Sequence, residues 1–474
     1  MVRPSSFVAE SASRAKGLEG PALLEIITVL SADSVGQIYT YWVGFGSVRS
    51  MSKTERVHPG RLEFSGAVGG PPRLVGFGLA LFAVVALALT GVVTVSEPHP
   101  FQARDSPYLT GWGWLDGWFQ YDSAWYWTIA TEGYFYTPGQ QSSIAFFPTY
   151  PMVVRGVAQL TGGDVQVAGT IVTVVAGAAA AALFALWASA RLSPAATRTS
   201  VVMLLLYPYA FFLVATMYAD ALFLLTVIGS FVLLERGHPW LAGIVGALAT
   251  AGRPVGIAVA VGLVVRLLEI RAEARAAVAA GGREAPEAQP PGRVNVAYPE
   301  LLAALRRVRL RDAGVLVSVL GFAGWCTYLW LSFGNPLAFV AAESAWGQGS
   351  GPHTWFKIAF FGQLIKGDPW LSVTLAVQAL FCLAALLLLR RVWRRFGWGY
   401  LAFCVVVLAI PLLGTKDFMG TGRYLLAAFP VMAAGGDVLT SSRHRRWLRP
   451  LVLSVFAVGL LVGTSLYARG YEVS

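Results

Sequence analysis

The chain has 474 residues, of which 56% are hydrophobic and 13% charged, and its mean hydropathy is +0.61. An ordinary soluble domain is about 45–50% apolar, so this composition argues against a soluble globular enzyme and predicts a polytopic membrane protein. The formal net charge of +11 would suggest nucleic acid binding in a soluble chain. Here the Lys and Arg residues form short clusters between apolar runs, a pattern that sets membrane topology, and we expect no nucleic acid partner.

Residues 1–73 differ in composition from the rest of the chain, because they are rich in Ser, Gly and Arg and contain one weakly apolar patch. Such a composition cannot bury enough apolar surface to fold alone. We predict a mostly disordered, basic, cytoplasmic arm. The basic start is not followed by the compact apolar core and cleavage site of a signal peptide, and Met51 is a possible later start.

Apolar stretches long enough to cross a bilayer, about 20 residues for a ~30 Å core, begin at residue 74. Two stretches are too long for one helix, since 200–234 would reach about 50 Å and 240–270 about 45 Å at the helical rise. We predict breaks near 215–220 and at Gly252-Arg253-Pro254, because Gly and Pro interrupt helices. The sequence therefore predicts an all-α bundle of about 11 transmembrane helices, at 74–95, 165–188, 200–234 (two), 240–270 (two), 313–333, 371–389, 399–413, 423–439 and 451–468.

The distribution of positive charge supports this arrangement. With the N-terminus in the cytoplasm, 28 of the 36 Lys and Arg residues fall in cytoplasmic segments, as the positive-inside tendency requires. The low-complexity segment 271–312 then becomes a solvated cytoplasmic linker, 97–151 becomes the first extracytoplasmic loop, and 469–474 is a short tail. The outer ends of the spans carry Asp122, Tyr218, Asp220, Arg253, Lys416, Asp417 and Arg423.

The first outer loop carries the best clue to function, because residues 119–151 combine Asp122 with a dense set of Trp, Tyr and Phe. Aromatic belts at a bilayer edge need no central carboxylate, and ionisable groups near membrane depth are costly unless paired or hydrated. Aromatic faces stack on sugars, a carboxylate can deprotonate an acceptor hydroxyl, and Arg can stabilise a phosphate leaving group. The loop therefore suits glycosyl transfer from a lipid phosphate.

The same residues resemble a known family. The first-loop pattern is similar to that of PIG-V-like GPI mannosyltransferases and their bacterial relatives, which belong to the GT-C class of multispanning glycosyltransferases. The resemblance covers about residues 74–468, and its matching fragments are YDSAWY at 121–126, FFPTYP at 146–151, YP at 207–208, YADALF at 218–223, RPVG at 253–256, GNPLAF at 334–339 and GRY at 422–424.

This resemblance implies an inverting transfer of mannose from a polyprenyl-phosphate mannose donor at the outer face, with Asp122 as general base. The acceptor would be a hydroxyl of a glycan, glycolipid or glycoprotein, and the protein would lie in the plasma membrane. Two positions depart from the family pattern, since Tyr121 stands where Trp is frequent and Asp220 where Glu is frequent. The side chain of Asp220 is shorter than that of Glu and therefore reaches less far into the site.

Each candidate residue also has a structural interpretation. Asp122 could cap the helix that follows it. Arg423, after the flexible Gly420-Thr421-Gly422, could bind phosphate or anchor the chain at the membrane interface. Arg253 could contact the donor, with Lys416 as a further cation, or could pair with Asp220.

Aromatic and Pro residues of the outer segments are expected to shape the site rather than react. They are Tyr121, Trp125, Tyr126, Phe147, Pro148, Tyr150 and Tyr218. We expect no cofactor and no obligatory metal, because Asp122 is the one firm carboxylate candidate. Two other functions stay open: a GT-C transferase using another lipid-linked sugar, and a lipid or sugar transporter, for which broken helices and internal repeats would be typical.

Overall fold

The computed structural model describes residues 71–96, 111–279, 296–349 and 351–473. All regular secondary structure within these ranges is helical, which confirms the predicted all-α class. The predicted disordered arm lies outside the described residues except at its last few positions, and residues 97–110 of the first outer loop also lie outside them.

The N-terminal half of the described chain contains long apolar helices separated by shorter ones. Its α-helices are α1 (Pro71–Val95), α2 (Gly113–Asp116), α3 (Asp122–Thr131), α4 (Thr149–Ala158), α5 (Val165–Ser189), α6 (Pro194–Leu206), α7 (Asp220–Glu235), α8 (Pro239–Thr250) and α9 (Ile257–Ala279). Short 3₁₀ helices cover Ser143–Ala145, Ala210–Leu213 and Pro254–Gly256.

The C-terminal half continues in the same way. Its α-helices are α10 (Tyr298–Ala304), α11 (Val319–Phe333), α12 (Ala338–Glu343), α13 (Pro352–Trp355), α14 (Ile358–Lys366), α15 (Pro369–Phe396), α16 (Trp398–Gly414), α17 (Thr421–Ala427), α18 (Phe429–Ser441) and α19 (Arg445–Ala468). The 3₁₀ helices here are Leu305–Arg307, Leu310–Ser318 and Ser344–Trp346.

Several helices are long and apolar enough to cross a membrane, which indicates a multi-pass membrane protein. Among the described residues five qualify by length and composition, at Pro72–Val95, Val165–Ser189, Leu310–Phe333, Pro369–Phe396 and Arg445–Ala468. A sixth candidate is the pair α17 and α18, which are bent by 85° relative to each other. Pro430 sits in the first turn of α18, where its fixed φ and missing N–H suit the start of a new helix.

The predicted count of eleven crossings is not confirmed, because several of the predicted spans correspond to helices of fewer than 18 residues. The stretch 200–234 is divided, as predicted, between α6, which ends at Leu206, and α7, which begins at Asp220, with a 3₁₀ turn between them. At 13 residues, α6 reaches about 20 Å at the helical rise, short of the ~30 Å core. The second break lies where the sequence predicted it, since α8 ends at Thr250 and α9 begins at Ile257.

The predicted linker 271–312 is helical and packed at both of its ends. Helix α9 continues through residue 271 to Ala279, and Arg271 forms an ion pair with Asp312. Val296 and Leu301 pack in one apolar cluster with the buried face of α9. The Ala-, Arg- and Glu-rich composition of this segment did not predict these few apolar contacts. Residues 280–295 lie outside the described chain.

Candidate active site

Asp122 is the first residue of α3, and unusual backbone geometry places it there. The preceding Tyr121 has φ +49°, a region that residues other than glycine rarely adopt. The Tyr121 hydroxyl donates a 2.6 Å hydrogen bond to the carbonyl of Gly470, and the Asp122 N–H donates to the Tyr218 hydroxyl at 3.1 Å. Such strain persists where surrounding contacts hold it, and it is frequent at functional sites.

The Asp122 carboxylate contacts a distant part of the chain. The N-cap position of α3 is Tyr121 rather than Asp122, and no side-chain capping hydrogen bond forms there, so the capping interpretation of Asp122 gains no support from the geometry. Its Oδ2 instead accepts a 3.0 Å hydrogen bond from Nη1 of Arg423. The Asp122 side chain is 28% exposed and that of Arg423 is 15% exposed, so the pair is partly accessible to a ligand.

The turn before Arg423 is closely packed. Gly420 has φ +80°, which favours glycine, and the Tyr207 hydroxyl donates to the carbonyl of Gly422 at 3.0 Å. A Cβ placed on Gly422 would overlap the ring of Tyr209. The glycines therefore allow close approach of α17 to its neighbours.

Replacing Gly422 with Ala is expected to displace the turn that carries Arg423. The new methyl group has no space beside Tyr209, and overpacking of this kind costs about 1–3 kcal/mol. Thermal unfolding of the purified variant should show the loss of stability. The double variant Gly422→Ala with Tyr209→Leu, which removes the ring, should recover part of it; no recovery would mean that the Tyr209 contact is not the cause.

Asp220 and Arg253 extend the pair into a row of alternating charges. Arg253 forms an ion pair with Asp220, and the second carboxylate oxygen of Asp220 lies 4.0 Å from Nε of Arg423. Asp220 is 4% and Arg253 6% exposed. The pairing of Arg253 with Asp220, one of the two interpretations from the sequence, is thus present. Asp220 lies beside both Arg253 and Arg423.

The helix break at residues 252–254 brings Arg253 to this row. The end of α8 is fixed by Thr149, whose N–H donates to the Ala251 carbonyl at 3.1 Å and whose hydroxyl donates to the Leu248 carbonyl at 2.8 Å. Arg253 then adopts an extended backbone. Its guanidinium lies 4.8 Å from the ring centroid of Tyr424, within cation–π range.

These side chains border a cavity of about 250 Å³. Five of the residues that the sequence predicted for the site line it: Asp122, Tyr126, Phe147, Arg253 and Arg423. They come from four separate parts of the chain, since Asp122 and Tyr126 share α3, so the fold brings a carboxylate, two guanidinium groups and two aromatic rings around one space.

Other predicted site residues lie behind the cavity wall. Trp125 packs against the rings of Phe146 and Trp346, at centroid distances of 5.8 and 5.7 Å. Tyr150 is fully buried, and its hydroxyl donates to the Gly169 carbonyl. Pro148 immediately precedes α4 at its N-cap position. These three residues support the wall of the site without lining it.

The remaining predicted residues fall into two groups. Tyr121, Tyr218 and Asp220 hold the backbone of Asp122 or the guanidinium of Arg423, as described above, and do not line the cavity. Lys416 is exposed, and its ammonium group lies close to Gly347. The third predicted cation is therefore at the rim.

The cavity also contains residues that the sequence did not point to. Glu343, Trp346, Gln348 and Glu472 line it, and all four come from segments without a distinctive functional motif. Burial raises the pKa of the Glu343 carboxyl to about 7, because a low-dielectric environment disfavours the charged form. Glu343 and Glu472 thus add two carboxyl groups to that of Asp122 at the cavity.

Glu343 gives a testable dependence of stability on pH. Its pKa rises from the ordinary 4.5 to about 7 on folding, so between these values the folded chain keeps a proton that the unfolded chain has lost. The free energy of unfolding should therefore fall as pH rises across this window. Other ionisable groups around the cavity, Asp122, Arg253, Arg423 and Glu472, are unchanged by a substitution at 343.

The Glu343→Gln variant cannot titrate at this position, so it should not lose stability through this group as pH rises. The difference between its thermal unfolding temperature and that of the natural chain should increase from about pH 4.5 to pH 7 and stay constant at higher pH. Parallel curves for the two proteins over the whole range would contradict a raised pKa.

Comparisons with known proteins give structural matches alone. No family model and no curated protein matches the chain. Among solved structures, the oligosaccharyltransferase AglB of Archaeoglobus fulgidus, in complex with an inhibitory peptide and a dolichol-phosphate, has 12% identity and a TM-score of 0.42, covering 83% of this chain and 56% of AglB. The apo form of the Archaeoglobus fulgidus enzyme has 13% identity and a TM-score of 0.40, covering 84% and 56%. The chain thus spans little more than half the length of these enzymes, and a likeness this distant carries no argument about activity.

Proposed function

We propose that the protein is a GT-C membrane glycosyltransferase that moves mannose from a polyprenyl-phosphate mannose donor to an acceptor hydroxyl. The site would face the extracytoplasmic side of the plasma membrane, with the N-terminus in the cytoplasm. The observation that carries the proposal is the 3.0 Å contact between Asp122 and Arg423 at one cavity. It unites a base and a phosphate-binding group from opposite ends of the sequence.

In the proposed reaction, Asp122 accepts the proton of the acceptor hydroxyl while that oxygen attacks the anomeric carbon. The bond between this carbon and the phosphate oxygen breaks, and its electron pair stays on the phosphate. Attack from the face opposite the phosphate inverts the anomeric configuration. The products are a new glycosidic linkage, a polyprenyl phosphate and a protonated Asp122.

Arg423 is suited to both stages of this reaction. Before transfer its Nη1 bonds the ionised Asp122 carboxylate. During transfer Asp122 loses its negative charge to the incoming proton, and the phosphate gains one as its bond to sugar breaks. A guanidinium has five donors in a fixed fork, so Arg423 can contact the phosphate without leaving Asp122 and stabilise the charge as it moves.

The paired Asp220 and Arg253 contribute orientation. Asp220 lies beside both guanidinium groups, so it restricts their motion and holds them in position at the cavity. Hydrogen-bond donors fixed in advance where charge develops need no reorganisation during reaction. Arg253 lines the cavity, where it can assist Arg423 in holding the phosphate, and Lys416 at the rim is a further cation near the path of approach.

The size of the cavity favours transfer of a single sugar. Pockets for drug-sized ligands hold about 300–1,000 Å³, whereas this cavity holds about 250 Å³. One hexose beside a phosphate suits such a space better than a preassembled oligosaccharide. The polyprenyl chain would lie outside the cavity among the apolar helices.

A donor panel tests the proposed function directly. The purified full chain in lipid bilayers would receive labelled polyprenyl-phosphate mannose, polyprenyl-phosphate glucose or a nucleotide-linked mannose, each with a mixed pool of glycan, glycolipid and glycoprotein acceptors. We expect transfer from the mannosyl lipid alone. Transfer from the glucosyl lipid would mean that the protein is a glycosyltransferase that uses a sugar other than mannose. Movement of intact lipid across the bilayer without transfer would indicate a transporter.

A further inference from the structure

Residues 343–348, which read ESAWGQ, form a compact segment at the cavity. Glu343 ends α12, the 3₁₀ helix Ser344–Trp346 follows, and Gly347 turns the chain with φ +71°. Three side chains of this segment line the cavity: Glu343, Trp346 and Gln348. Two polar groups and an aromatic ring therefore reach one space from a single turn of chain.

Two polar side chains of this segment have free hydrogen-bonding capacity. The Gln348 Oε1 atom is buried and accepts no hydrogen bond from the described residues. The Glu343 carboxyl, which is partly exposed at the same cavity, forms no hydrogen bond or ion pair with the described residues. Buried polar groups in native proteins are normally hydrogen-bonded, so the Gln348 oxygen points to a ligand that completes it, with the Glu343 carboxyl available at the same cavity.

The indole of Trp346 is fixed in place by neighbouring rings. Trp125 and Phe146 both meet it edge-on, with centroid distances of 5.7 and 6.0 Å, a preferred aromatic geometry. Trp125 belongs to α3, the helix that begins with Asp122. The position of Trp346 is thus coupled to the helix that carries the proposed base.

We propose that Glu343, Trp346 and Gln348 form the subsite for the hexose of the lipid-linked donor. This proposal rests on the proposed function and names the residues that recognise the sugar of the donor. A pyranose ring presents C–H groups that pack on an indole, and its hydroxyl groups both donate and accept hydrogen bonds. Trp346 supplies the first contact; the amide of Gln348 and the carboxyl of Glu343 supply the second.

The donor sugar fits this subsite better than the acceptor sugar does. The transferred hexose is joined directly to the phosphate, and Arg423, the proposed phosphate ligand, borders the same 250 Å³ cavity as residues 343–348. A phosphate at Arg423 therefore leaves its sugar within this small space. The raised pKa of Glu343 allows its carboxyl to donate as well as accept near neutral pH, which suits a sugar hydroxyl.

A binding experiment tests this subsite separately from the proposed reaction. The full chain in nanodiscs would be titrated with polyprenyl-phosphate mannose and with polyprenyl phosphate that lacks sugar, and the ratio of the two affinities gives the contribution of the hexose. Glu343→Ala, Glu343→Gln, Trp346→Ala and Gln348→Ala would be measured in the same way. Matched controls are Glu132→Gln and Trp355→Ala, both at exposed positions that do not line the cavity.

We expect the sugar to tighten binding to the natural chain, and we expect Glu343→Ala and Trp346→Ala each to reduce that gain about tenfold, the effect of losing one good hydrogen bond or ring contact. Glu343→Gln should keep part of the gain because an amide still bonds hydroxyl groups. Affinity for the sugar-free lipid should stay unchanged in every variant, which excludes misfolding as the cause.

Three results would overturn the proposed hexose subsite, and only one of them would also overturn the proposed function. If the natural chain binds both lipids equally, the hexose subsite is absent although the lipid-phosphate site stands. If the sugar contribution survives in all variants, the hexose binds elsewhere. If neither lipid binds, the proposed function fails, and this subsite fails with it.

Discussion

Replacing Asp122 with Asn should reduce sugar transfer by about 10²–10⁴-fold, the usual contribution of a general base. The amide keeps the size of the carboxylate and can still accept a hydrogen bond from Arg423, so the cavity should keep its shape. It cannot take the acceptor proton. The rate of a single turnover with bound donor, measured in lipid bilayers, reports this step separately from binding.

The Asp122→Asn variant should still bind donor, because Arg253 and Arg423 are untouched. Asp368→Asn is a matched control, since Asp368 caps α15 by accepting from the Leu371 N–H and Asn caps helices equally well. Its transfer rate should equal that of the natural chain. Substantial transfer by the Asp122 variant would show that another group, with Glu343 the first candidate, removes the proton.

Replacing Arg423 with Ala is expected to weaken both the donor complex and the fold. The guanidinium bonds Asp122 and lies beside the buried Asp220, and removal of one partner of a buried ion pair costs about 3–5 kcal/mol. Asp220 keeps Arg253, so the loss of stability should be at the lower end of this range. Donor affinity should fall further than the affinity for a neutral polyprenol.

Arg423→Lys separates charge from geometry. A lysine keeps the positive charge but lacks the planar fork of donors, so it should restore much of the stability and little of the donor affinity. Arg155→Ala, at an exposed position in α4, is the control and should change neither quantity. Equal binding of phosphate-bearing and neutral lipids by the natural chain would contradict a phosphate-binding role for Arg423.

Three residues that the sequence singled out meet at one candidate site, because the strongest local signals of the sequence coincide with the breaks between helices. Gly252 disfavours a helix and Pro254 lacks the N–H that a helix interior needs, and at this break Arg253 has extended backbone. Positive-inside counting then placed this break on the same side as Asp122 and Arg423. Topology alone could bring these three residues to one face, although it could not specify that two of them are in contact.

The rest of the site depends on packing that has no local sequence signal. Glu343 and Gln348 border the cavity on either side of Trp346, which packs on Trp125, a contact between distant parts of the chain. Tyr150, by contrast, belongs to the aromatic first-loop pattern but turns inward from α4 to bond Gly169. Residue type was therefore a good guide to the region and a poor guide to which side chains face the cavity.

The predicted number of membrane crossings is not confirmed, for a related reason. Apolar composition does not distinguish a helix that spans the bilayer from a shorter buried one. Helix α8 has only 12 residues, and α16 has 17, yet both are strongly apolar. The 85° bend between α17 and α18 is likewise not visible in composition, although Pro430 in the first turn of α18 suits the start of a new helix.

A structure determined with a non-transferable analogue of polyprenyl-phosphate mannose would test the central claim most directly. We predict that the phosphate lies within hydrogen-bond distance of Arg423, that the anomeric carbon faces Asp122, and that the sugar occupies the cavity beside Trp346. A phosphate bound elsewhere in the bundle, with this cavity empty and Asp122 still paired to Arg423 alone, would contradict the account.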